Sequence, residues 1–298
     1  MTEHQRRLTR TETLRLAAAG AAGLALGVRP AQAAASDADA VAAAARAFLA
    51  SLTPAQRARA RFPFAGAERT RWHWTVPVSV PRNGLPIGEL TPRQRALAQA
   101  LLRSSTSRSG YRKALDIMAL QGVLQRMNPG VTNTFDPDLY YVSVFGTPGG
   151  PAWGWRWEGH HLSRHFTVVR GTVVAEPFFL GAWPTRAGSA YRTVTRGFRT
   201  MPREEDAARE IVLGLDSALR RRVVFSDDSL TDHVTQNAVR VSPVEPVGVL
   251  ARDLPSAAQA RVREIVRTYL ANHPAALARD ALTRVERAGM NRIRFGWA

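Results

Sequence analysis

Apolar residues recur along this chain with two different periods. From Ser36 to Ala50, the residues Val41, Ala45, Phe48 and Leu49 fall on one helical stripe behind a capping Ser36 or Asp37. Thr53-Pro54 opens a further turn, with proline at the first helical position, where its missing N–H costs nothing. Thr91-Pro92 starts another helix, buried through Leu97, Leu101 and Leu102. Ala114, Ile117, Met118, Leu120, Val123 and Leu124 keep helical spacing from about Ser109 to Met127, until Asn128-Pro129-Gly130 ends it. The pattern predicts that these last two helices pack as an antiparallel pair.

The period then drops to two. Leu139 to Phe145 (LYYVSVF) predicts a strand, and so does the stretch from His160 onward. Gly171 separates HFTVV from TVVAEPFF, the signature of a short-turn hairpin. An earlier alternation, at Arg71 to Val76, puts Trp72, Trp74 and Val76 on one face and His73 on the other. Helical spacing returns at Arg203 to Leu219, with acids in its first turn and Arg220 to Arg222 at its end, as the helix dipole favours. It recurs at Ser256 to Asn272 and Ala275 to Ala288, and Arg292 to Trp297 predicts a last strand. This order predicts an α+β fold: a mixed, mostly antiparallel sheet from the central and C-terminal strands, packed by a helix pair and further helices.

The first 35 residues break the pattern. Arg6, Arg7 and Arg10 precede an apolar run, Ala17 to Val28, and a small-residue stretch at Ala31-Gln32-Ala33. That is the layout of an export signal, twin-arginine in style. The run is too short and alanine-rich to span a bilayer, so no stable membrane insertion is expected after the signal is removed. The expected organisation is residues 1–35 as signal and 36–298 as one α+β domain, exported to the periplasm or secreted.

Charge changes this picture little. The net charge is +17, and with residues 1–35 removed it is +14. The arginines are scattered, a single lysine (Lys113) accompanies them, and no nucleic-acid-binding motif is present. A nucleic-acid partner is therefore not expected. The absence of cysteine excludes disulfides, thiolate metal ligands and a cysteine nucleophile.

Candidate chemistry concentrates in Trp153 to Thr167, WGWRWEGHHLSRHFT, which holds three of the seven histidines and three of the seven tryptophans. In a strand, His160, Leu162, Arg164, Phe166 and Val168 share one face. His161, Ser163, His165 and Thr167 form a polar row on the other, which could line a pocket. Trp153, Trp155 and Trp157 also align, either as a stacking wall for a flat ligand or as a layer packing on helices. His161 and His165 stand roughly 13 Å apart on a strand, too far for one metal ion. A metal would need His73, or a bend at Gly159 that brings His160 and His161 together. The expected roles are Glu158 as acid/base or orienting group, His160 and His161 as proton carriers or ligands, and Arg156 as an anion clamp. Trp153, Trp155 and Ser163 would contact substrate, and His73, His160 and His161 would hold a divalent metal.

Four pieces come in one order: ERxxWH at Glu68 to His73, GYxxA at Gly110 to Ala114, WGWRxEGHHLSxxFT at Trp153 to Thr167, and EExxAR at Glu204 to Arg209. Together they resemble the family catalogued as domain of unknown function 3500, over roughly residues 45–298. The resemblance also implies further C-terminal strands, bearing a His-x-His pair and Trp-Arg-Asp, beyond Phe295 to Ala298, so the chain would be a truncated member. Two functional expectations follow. One is an exported enzyme, a hydrolase or oxidoreductase using a divalent metal on a small molecule. The other is a non-catalytic exported protein holding a small-molecule ligand between tryptophans and Arg156.

Overall fold

The computed structural model describes residues 32–298, apart from 132, 133, 231, 242 and 243. The export-signal reading therefore lies outside the described residues as far as Ala31. In chain order the elements are α1 (Gln32–Ser51), α2 (Pro54–Ala60), β1 (Arg61–Phe62), β2 (Leu85–Pro86), α3 (Pro92–Ser104), α4 (Arg108–Met127) and β3 (Tyr141–Gly146). Then come β4 (Ala152–Gly159), β5 (Leu162–Val169), β6 (Thr172–Val174), β7 (Phe178–Leu180), α5 (Pro202–Leu213) and α6 (Ser217–Val223). The last are β8 (Val249–Leu250), α7 (Ser256–Leu270), α8 (Ala275–Ala288) and β9 (Arg294–Phe295). The fold is α+β, as the alternating periods predict.

Seven strands form one sheet in the order β1-β3-β4-β5-β6, with β2 also on β3 and β7 also on β5. The β1–β3 pair is parallel and the others are antiparallel. β4 and β5 are its long central ribbon, and their register decides which side chains meet. Trp155 pairs with Val144 and Phe166, so these apolar groups lie on one face. Val41 and Phe48 of α1, Leu101 and Leu102 of α3 and Ile117 of α4 join that face in a single buried cluster. Trp153, Trp155 and Trp157 are at its centre, each at most 1 % exposed. Of the two uses open to the tryptophan row, the helix-packing layer is the one this face provides. A smaller core joins Ile211, Val223, Val249 and Val262 of α5, α6, β8 and α7.

Several elements differ from expectation. The polar row's strand begins at Leu162, and His160-His161 form the two-residue turn between β4 and β5. Residues 71–76 are not a strand, although Trp72 and Trp74 are buried as their alternation predicts. That segment binds the sheet through scattered polar contacts rather than a ladder. α3 packs chiefly on α1 and touches α4 little, because the small Ala45 and Ala98 enter the same core with Leu101 and Leu102. The helix expected over 203–219 is two helices. Gly214 caps α5, and Asp216 restarts the chain by accepting from the Leu219 N–H at 2.8 Å. The C-terminal strand β9 pairs with β8 in a separate two-stranded sheet.

Candidate ligand site on the polar face of the sheet

The face of the sheet opposite the tryptophans carries charge. Arg156 stands between Ser143 and His165, and Glu158 between Tyr141 and Ser163. Two residues apart on one strand, Arg156 and Glu158 must project from the same face. The Arg156 Nε lies 2.7 Å from Glu158 Oε1. Residues 68–82 cross over this pair. Glu68 accepts from Arg156 Nη2 at 2.6 Å, and its carbonyl accepts from Nη1 at 2.8 Å. The His73 backbone N–H donates to Glu158 Oε2 at 3.1 Å, and Arg82 Nε lies 3.6 Å from the same oxygen. Arg156 and Glu158 are both 0 % exposed. Burial pushes the Glu158 pKa up, against the pull of Arg156, Arg82 and the His73 N–H. Arg156 is thus occupied by carboxylates, and Glu158 by guanidiniums and a backbone donor. Their product is alternating charge that fastens the 68–82 segment to the sheet.

The histidine pair sits at the end of this ribbon. His161 has φ 58°, in the left-handed region that histidine tolerates better than most residues. The turn brings the His160 and His161 rings to 4.1 Å, the convergence that a bend after Gly159 allows. His160 Nδ1 meets Gln121 Oε1 at 2.7 Å, and Tyr140 Oη donates to the His160 carbonyl at 2.7 Å. Burial draws His160 down to about 3, with further contributions from His161 and Arg82, and draws His161 down to about 4. The His161 N–H donates to the Trp74 carbonyl at 2.8 Å, and His73 stacks on Trp74 at 4.2 Å. His73 Nδ1 is engaged by Thr75, at 3.2 Å from its N–H and 3.0 Å from its hydroxyl. His73 and His161 are thus neighbours through Trp74, and His160 joins them through His161. Among the described residues, no group of three His, Asp or Glu is arranged to hold a metal ion.

A cavity of about 90 Å³ opens further along the polar face. Arg69, Thr167, His165 and Glu176 supply its polar walls, and Trp72 and Val239 its apolar ones. Trp155, chiefly a core residue, also reaches its lining. His165 Nε2 lies 3.0 Å from Ser163 Oγ, and the Trp72 ring meets the imidazole edge-on at 5.9 Å. Burial, then the charges of Arg156, Arg164 and Arg69, hold His165 well below the ordinary histidine range. It is a neutral imidazole at pH 7. The loop over the cavity is pinned by Asn237 Nδ2, which donates to the Trp72 carbonyl at 2.7 Å. Ser163 is 0 % exposed and lies behind His165 rather than on the wall.

Two of the sequence motifs therefore meet here: Glu68, Arg69, Trp72 and His73 of the first lie against Arg156, Glu158 and His165 of the third. A family profile described as "Protein of unknown function (DUF3500)" matches residues 34–298. The chain belongs to the DUF3500 family. No curated protein and no solved structure matches it. The two other sequence motifs also touch, through the ion pair of Lys113 with Glu204. Gly110, in the same piece as Lys113, leaves room for a crossing chain, since a Cβ there would lie 2.2 Å from the Asn272 carbonyl.

The residues that line the cavity were partly legible. His165 and Thr167 belong to the polar row that alternation identifies, and Arg69 to the first motif. Val239 carried no signal, because only the tertiary fold brings its loop over the sheet.

Proposed function

We propose that the protein is an exported binding protein for a small polar molecule, held in the cavity beside His165. One observation carries this: a partly open cavity next to a buried charge network, lined by a neutral imidazole, a guanidinium, a hydroxyl and a carboxylate. Binding sites pair apolar walls with a few placed polar groups, and Trp72 and Val239 supply the walls here. The size suits a molecule of a few heavy atoms. Export rests on the basic and apolar pattern of residues 1–35, and the N-terminal residue of protein recovered outside the cytoplasm tests it.

The enzyme reading has one observation behind it, the 3.0 Å contact of Ser163 Oγ with His165 Nε2. That is hydrogen-bond reach for a nucleophile and its base. The hydroxyl is fully enclosed, however, so the contact supports an oriented imidazole before it supports attack on a substrate. The metal-dependent form has less support, because among the described residues no group of three His, Asp or Glu is arranged to hold a metal ion.

The test is a set of small carboxylates, amides and polyols, screened by saturation-transfer NMR against the wild type and Thr167→Phe, which fills the cavity. Binding by the wild type that is lost in a folded Thr167→Phe supports the proposal. Binding that survives the filled cavity, or no binding at millimolar concentration, refutes it.

A further inference from the structure

Arg164 differs from the other buried arginines of the sheet. Arg156 and Arg82 lie beside carboxylates. Arg164 is on the opposite face, paired with Trp157 in the β4–β5 register, and is 3 % exposed. Among the described residues no carboxylate pairs with it. Its guanidinium lies 5.0 Å over the Phe178 ring, and its Nη2 is 3.5 Å from the Asn272 carbonyl and 3.2 Å from His273 Nδ1. Nη1 is buried without a partner. Burial draws Arg164 down to about 10, and no neighbouring negative charge offsets it. An uncompensated buried guanidinium is strongly unfavourable.

The histidine beside it makes the imbalance larger. Arginine can only donate, so the His273 Nδ1 that faces it must accept, and the ring hydrogen then sits on Nε2. That Nε2 is also buried without a partner. The pair therefore offers two unpartnered donors, one positive charge and no acceptor. Two residues later α8 begins, with Pro274 at its N-cap and no side chain closing its first turn. A helix start of this kind leaves N–H groups unpaired and carries partial positive charge. Gly110 lets the Asn272 turn press against the start of α4, which fixes His273 beside Arg164.

We infer that Arg164, His273 and the start of α8 form a binding site for a small monovalent anion of halide size. The single positive charge sets the valence, and the absence of solvent exposure at Nη1 and Nε2 sets the size. A water molecule would satisfy the donors but leave the charge. The site is on the other side of the sheet from the His165 cavity and stands independently of it.

The experiment is thermal unfolding of the full chain in chloride and in gluconate at equal ionic strength, with Arg164→Met alongside. Above the dissociation constant, a tenfold rise in chloride raises the folding equilibrium constant of the wild type about tenfold. Arg164→Met abolishes that response. Equal midpoints in the two salts, or a chloride response unchanged in Arg164→Met, overturn the inference. If Arg164→Met does not fold, wild-type crystals grown in bromide decide. Anomalous density beside Nη1 supports the site, and an ordered water with no anomalous signal there refutes it.

Discussion

Glu158 lies between two buried guanidiniums, at 2.7 Å from Arg156 and 3.6 Å from Arg82. A buried ion pair adds little over an apolar substitute, but removing one partner leaves charge stranded in low dielectric. Glu158→Gln keeps the shape and the hydrogen bond from His73 while removing the negative charge. We expect it to lose about 3 kcal/mol of stability by urea unfolding. A loss below about 1 kcal/mol would mean that Glu68 alone compensates both arginines. His165 shows the opposite use of burial: no carboxylate draws it toward the charged form, so it stays neutral and able to accept a hydrogen bond.

At the scale of elements, turns and caps carry the local specification. The β5–β6 hairpin turns on Arg170 and Gly171, with φ 49° and 76°. Both central residues in the left-handed region match the turn type whose twist suits antiparallel strands. Arginine is a poor residue there and its side chain is exposed. Arg170→Asn should therefore raise stability by about 0.5 kcal/mol, whereas Arg170→Val should lower it, as paired thermal melts would reveal. The break between α5 and α6 rests on Asp216. Asp216→Ala removes its bond to the Leu219 N–H and should cost about 1 kcal/mol, and an unchanged urea midpoint would assign the break to Gly214 alone.

Across the whole molecule, four histidines, three buried and one half-buried, respond to acid together. His160 and His273 are drawn down to about 3 and His161 to about 4, and His165 also lies well below its usual range. In the unfolded chain each titrates near 6.5, so between the two values the unfolded state binds more protons. Stability is thus intact above about pH 6.5 and falls as pH drops, by up to about 1.4 kcal/mol per pH unit for each histidine. Urea midpoints between pH 7 and pH 5 test this, and His161→Asn should reduce the slope by about one proton; a flat profile would contradict it. Much of this molecule was legible in its sequence. The helices, the Gly171 hairpin, the aligned tryptophans and the polar row of β5 all follow from period and turn chemistry, which are local. What needed the tertiary structure was partnership. Whether the tryptophans face a ligand or helices depends on what covers the sheet, and whether His160 belongs to strand or turn depends on the register of β4 with β5. Glu68 reaches Arg156 across 88 residues, and Arg164 reaches His273 across 109. A side chain's periodicity states which way it points, but its charge, proton and role are decided by what a distant segment places against it.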